Sequence, residues 1–136
     1  MIKNVEENMK RKRSFVLDEK DDKAVALFSE LGMPKNLAKT LMFISQVEEC
    51  RSAEVEQGAD LRQPEVSVAM QEMRRRGWVK KRDLKKKGKG RPVHVYKLTK
   101  SLPQILKNFE DEKMKEVQII RSDLSDLQGL IKQYNK

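Results

Sequence analysis

The residues whose types and spacing suit chemistry lie in the stretch LRQPEVSVAMQEMRRRGWV, residues 61–79. The chemistry they suit is hydrogen bonding to a groove rather than bond breaking. Leu61, Val66, Ala69, Met70 and Met73 fall on one side of a 3.6-residue helix. Gln63, Pro64, Ser67, Val68 and Gln71 fall on the other, a face of small or hydrogen-bonding residues where a solvated helix would carry Lys and Glu. Such a face reads as one presented to a DNA groove; an ordinary amphipathic core helix is the competing reading. Pro64 suits the first helical position with Gln63 as N-cap. Glu65 sits well at the positive end of the helix dipole, Arg74 to Arg76 at the negative end, and Gly77 suits a left-handed cap.

An element of this kind needs a scaffold, and composition bounds it. The chain has 136 residues, room for one compact domain and a long accessory helix. A net charge of +9 suggests a polyanionic partner. That charge is concentrated: Arg74 to Lys100 holds thirteen Lys or Arg against one acid, Asp83, which leaves the remainder of the chain at −3. The one cysteine, Cys50, forms no internal disulfide and points to a reducing, cytoplasmic compartment. No apolar run approaches the ~20 residues of a membrane span, and the N-terminus lacks the apolar core of a signal peptide.

In chain order, residues 1–20 are expected to form a flexible basic tail, with a cluster at Lys10 to Arg13. Asp21 and Asp22 open a helix whose apolar side is Ala24, Val25, Leu27, Phe28 and Leu31, ended by Gly32. A second helix is expected from Lys35 to Glu49, with Cys50 at its end as an inert thiol. Ser52 suits an N-cap for a short helix ending at Gly58, and residues 59–62 make the turn into the stretch described above. A helix, a tight turn and a second helix with a polar outward face form a helix-turn-helix.

After Gly77, residues 78–82 read as a strand and Asp83 to Gly90 as a flexible basic tip. Residues 91–98 alternate as a half-buried strand does, with Val93, Val95 and Lys97 on one side and His94, Tyr96 and Leu98 on the other. The helical period returns at Ser101. Leu102, Ile105, Leu106 and Phe109 make one apolar face. Val117, Ile120, Leu124, Leu127, Ile131 and Tyr134 then step by three and four, a heptad seam expected to pair helices between subunits. The fold class expected is mainly α with a small β-hairpin wing: a winged helix-turn-helix over residues 21–100 and a dimerisation helix over 101–136.

The run LRQPEVSVAMQEMRRRGWVKK followed by GKGRPVHVYKLT resembles the winged-helix core of prokaryotic transcriptional regulators of the MarR and TrmB type, particularly archaeal ones. The matching residues are Ser67, Met73, Gly77, Trp78 and Val79, then Arg91, Pro92 and Tyr96; the segment LGMPKNLAKTLMFI also resembles the helix that precedes the motif in TrmB-like proteins. The resemblance covers about residues 31–100. The large sugar-binding domain of longer TrmB-like proteins is absent, and so are the cysteine and histidine clusters of metal-sensing relatives.

The resemblance implies that the helix from Gln63 to Arg76 enters the major groove of double-stranded DNA. Helical position puts Arg62, Gln63, Ser67 and Gln71 at base edges and Pro64 and Val68 at thymine methyls. Arg74, Arg75, Lys80 and Lys81 then meet phosphate, as do Lys85, Lys86, Lys87, Lys89 and Arg91 of the wing, with the minor groove also within the wing's reach. Lys89 to Pro92 also resembles the core of an AT-hook. A homodimer would set two such helices ~34 Å apart on a palindromic operator. Two other readings stand beside a sequence-specific regulator: an architectural, nonspecific DNA-binding protein, and a protein-binding winged helix. No nucleophile-base pair or phosphate-binding loop is present, His94 has no second ligand, and neither enzyme activity, metal nor cofactor is expected.

Overall fold

Three helix starts in this chain are set by side chains that satisfy the backbone groups a helix leaves open. The computed structural model describes residues 15–84 and 93–134. Expectations for the basic cluster at Lys10 to Arg13 and for the wing tip, Lys85, Lys86, Lys87, Lys89 and Arg91, lie outside the described residues. The first helix, α1, is Glu19–Glu30, opened by Asp18 rather than by Asp21 and Asp22. Asp18 Oδ1 accepts from the Asp21 N–H at 3.0 Å, and Asp21 Oδ2 accepts from the Asp18 N–H at 2.9 Å. Asp21 is buried, and the Gln46 side-chain amide donates to its other carboxylate oxygen, Oδ1, at 2.8 Å. Gly32 closes the helix at φ +103°, with the Met33 N–H reaching the Phe28 carbonyl.

Val25 and Phe28 are the buried apolar side of α1; Leu27 and Leu31, expected beside them, are exposed. Of the tail expected over residues 1–20, residues 15–20 lie among the described residues. Phe15 stacks at 5.5 Å on Phe43 and the Leu17 N–H donates to the Gly58 carbonyl, so the described residues before α1 are held to the domain.

The second helix, α2, is Lys35–Ile44 and ends five residues before the expected Glu49. The Ser45 hydroxyl and the Gln46 side-chain amide both donate to the Met42 carbonyl, which competes with continuation of the helix. The chain then extends to Cys50, whose backbone exchanges both hydrogen bonds with Tyr96. Cys50 is therefore in a bridge to the hairpin, not at a helix end. Leu37, Ala38, Leu41, Phe43 and Ile44 are buried and form the centre of the core.

The third helix, α3, is Ser52–Gly58, with Arg51 rather than Ser52 at the N-cap and Glu54 accepting from the Arg51 N–H at 2.8 Å. The fourth, α4, is Gln63–Arg75; its N-cap is Arg62 and not Gln63, and Pro64 is the second helical residue. Between them the left-handed residue is Asp60, φ +54°, with the Leu61 N–H on the Glu56 carbonyl. Gly58 serves a different purpose: a Cβ there would lie 2.1 Å from the Phe43 ring and 2.5 Å from the Phe15 carbonyl. Both α2 and α3 pack on α4.

Strands β1, Val79–Leu84, and β2, Val93–Leu98, pair antiparallel from Val79↔Leu98 to Leu84↔Val93. Asp83 and Leu84, expected in the tip, belong to β1. Lys97, expected on the apolar side with Val95, is exposed. The fifth helix, α5, is Leu102–Lys132. The chain divides into two compact units, one ending at Ser101 and the other starting at Leu102. In α5, Ile105 and Phe109 are buried, whereas Leu106 is exposed.

Candidate nucleic-acid interface

The two sides of α4 separate as its residue types require. Val66, Ala69, Met70 and Met73 are buried, with Leu61 just ahead of them. Arg62, Gln63, Pro64, Ser67, Val68, Gln71 and Arg74 are all exposed, and Val68 is 66% exposed although it is branched and apolar. Leaving Val68 in water forgoes about 1.5–3 kcal/mol of burial, so its place on this face is not explained by packing within the chain.

The acids on α4 are both engaged. Glu65 accepts from the Arg62 N–H at 2.8 Å and from the Asn36 amide at 3.2 Å. Those bonds, the backbone one first, hold its carboxyl below the usual carboxylate range, and the second ties the start of α2 to α4. Glu72 accepts from the guanidinium groups of Arg75 and Arg76, which hold its pKa at about 2. Arg75, a candidate phosphate contact, is thus exposed but already paired within its own helix. Arg76 also lies 5.0 Å over the ring of buried Trp78. The helix ends at Gly77, φ +75°, with the Trp78 N–H on the Met73 carbonyl. Thr99 closes the base of the hairpin by donating to the Gly77 and Trp78 carbonyls.

Strand register divides the hairpin cations. Successive residues of a strand point to opposite faces. Lys80, Arg82 and Lys97 therefore share one face, and Lys81 lies on the other with Tyr96. Lys80 and Lys81 cannot both face one backbone. Lys97, opposite Lys80, was missed in the sequence because alternation placed it with the core. Like charges directly across a sheet repel, and Lys80↔Lys97 is such a pair. Arg82 is held by Glu49 at 2.7 Å. His94, expected to be alone, is paired with Asp83 across the strands at 2.5 Å.

A groove of about 580 Å³ between the start of α2 and the outward side of α4 was also not foreseen. Pro34, Asn36, Leu37, Pro64, Val68 and Ala69 line it. Among the described residues no group of three His, Cys, Asp or Glu is placed to hold a metal ion. No described helix is long and apolar enough to cross a membrane. Cys50 is buried; that burial, and then the Glu54 carboxylate, push its thiol up to about 12.

Four helices, a two-stranded hairpin after the last of them and a long C-terminal helix are the parts of a winged helix-turn-helix. Solved structures described as transcriptional regulators are similar to this chain. One described as a possible transcriptional regulator from Methanosarcina mazei Go1 has 14% sequence identity, with 81% of this chain and 86% of that one covered and a TM-score of 0.50. Transcriptional regulator PA4135 has 21% identity over 82% of this chain and 87% of its own, TM-score 0.47. A transcriptional regulator homologue from Pyrococcus horikoshii OT3 has 20% identity over 86% and 99%, TM-score 0.42. No protein-family model and no curated protein matches the chain. The fold is that of a mainly helical winged-helix protein with a hairpin wing.

Proposed function

We propose that the chain is a transcriptional regulator of the MarR- and TrmB-like type that binds double-stranded DNA sequence-specifically as a homodimer. The observation that carries this reading is the outward face of α4. It is exposed along its length, rich in hydrogen-bonding groups, bounded by Arg62 and Arg74, and its two acids are engaged elsewhere. In the major groove Gln63, Ser67 and Gln71 read base edges with Arg62 beside them, and Pro64 and Val68 meet thymine methyls. Arg74, and Lys80 or Lys81 according to which hairpin face is turned inward, meet phosphate. The wing residues Lys85, Lys86, Lys87, Lys89 and Arg91 follow the backbone or the minor groove. The description of the Methanosarcina mazei structure as a possible transcriptional regulator supports the same reading.

Residues 21–100 form the DNA-reading module and residues 101–136 the pairing helix, through Val117, Ile120, Leu124, Leu127, Ile131 and Tyr134. The test is a titration of labelled DNA at two salt concentrations, the gene's own upstream region against unrelated DNA. A preference of ~10³ or more for the upstream region is expected of a specific regulator. Equal affinities that fall steeply with salt would replace this reading by an architectural one. Absence of binding to either DNA would leave a protein-binding winged helix.

A further inference from the structure

The seam on α5 carries a charge pattern that DNA binding does not use. Ile120, Leu124, Leu127, Ile131 and Tyr134 are between 50% and 86% exposed, so within one chain this apolar row is uncovered. With Val117, Leu124 and Ile131 at a and Ile120, Leu127 and Tyr134 at d, the flanking positions follow. The g positions are Glu116, Asp123 and Leu130; the e positions are Met114, Arg121 and Gln128. Every charge at g is negative and the one charge at e is positive.

Charges at e and g set the orientation of a coiled coil. An antiparallel pair sets g against g and e against e. Whatever its register, such a pair brings no opposite charges together here, and where Asp123 or Arg121 meets itself it repels. A parallel pair sets g against the e position of the next heptad, which places Glu116 beside the partner's Arg121, twice by symmetry. Parallel pairing in register also stacks all six a and d layers, and a shift by one heptad leaves layers uncovered.

We propose that a second copy of this chain covers the seam as a parallel, in-register two-stranded coiled coil, with Glu116 facing Arg121 of the partner subunit. The proposal rests on the homodimer reading above and adds its orientation. It brings the two Ser101–Leu102 junctions to one end of the coil.

Val117→Cys and Ile131→Cys, made separately in the full chain, test it by mild oxidation. Native Cys50 is buried, and the wild-type chain serves as the control that does not crosslink. In the parallel pair each introduced cysteine faces its own copy within the span a disulfide bridges. Most of each variant should then migrate at twice its mass. In an antiparallel pair of any register, the two positions cannot both lie beside their own copies, because their axial offsets together span at least about 40 Å. A crosslink at one position alone therefore also overturns the orientation. Sedimentation of the reduced chain separates the ways of failing. A dimer that does not crosslink at either position overturns the orientation and leaves the homodimer standing; a monomer overturns both.

Discussion

Gly58 shows how one residue can be required for a reason other than backbone freedom. Its neighbours, the Phe43 ring and the Phe15 carbonyl, leave no space for a Cβ, and the left-handed turn falls to Asp60. Gly58→Ala should cost about 1–3 kcal/mol through overpacking. Gly129→Ala, on α5 with nothing within 4 Å, should gain about 0.5–1 kcal/mol of helix stability. Urea unfolding of both variants checks the contrast. Cys50 makes a second test at this scale. With its thiol pushed up to about 12 from an ordinary 9.0, its contribution to stability is whole below pH 9 and falls as the pH rises from there towards 12. At pH 8 the folded protein should therefore not react with a thiol reagent, and the denatured protein should react at once. The sequence placed this thiol at a helix end and not in the bridge to Tyr96, since a single bridge has no periodicity to read.

Among the elements, α4 was the most legible. Its apolar positions recur at the helical period, and all of those expected to be buried are buried. The end of α2 was not, because apolar residues continue past Ile44 while the backbone is taken up by Ser45 and Gln46. The hairpin was legible as two strands but not in its register, which determines that Lys80 and Lys81 part company. One prediction belongs to α4 itself. Glu72, held at about 2 by Arg75 and Arg76 against an ordinary 4.5, adds stability that is full above pH 4.5 and is lost as the pH falls through 2. Thermal melts of Glu72→Gln should lack that part of the acid sensitivity. In DNA binding, Gln71→Ala should cost about 1–3 kcal/mol on the specific site and relax its sequence preference, whereas removal of a phosphate-contacting lysine should lower the salt slope by about 1. Comparing Lys80→Ala with Lys81→Ala by that slope identifies the hairpin face turned to the backbone.

At the scale of the whole molecule, the exposed seam of α5 is the feature an isolated chain leaves unresolved. Leu124→Asp places a charge at its middle layer, where it should abolish pairing. Sedimentation should then show a monomer, and affinity for a two-half-site operator should fall by the avidity that linked modules supply, about 10²-fold or more. Hydrogen-exchange protection unchanged over the residues up to Ser101 would show that the loss is one of pairing.

What the sequence by itself determined is the class of fold and the buried stripe of α4 with its uncharged outer face. Each is a local period that burial on one side imposes on a helix or strand, so it can be read along the chain. Only the tertiary structure decided that Glu65 is tied to Asn36, Arg82 to Glu49 and His94 to Asp83, that Lys97 faces solvent, and that Cys50 bridges to Tyr96. These pairings join residues from eleven to forty-six positions apart, each a single contact between elements packed on one another. Sequence spacing encodes which side of an element is buried; it does not encode which residue of another element it meets there.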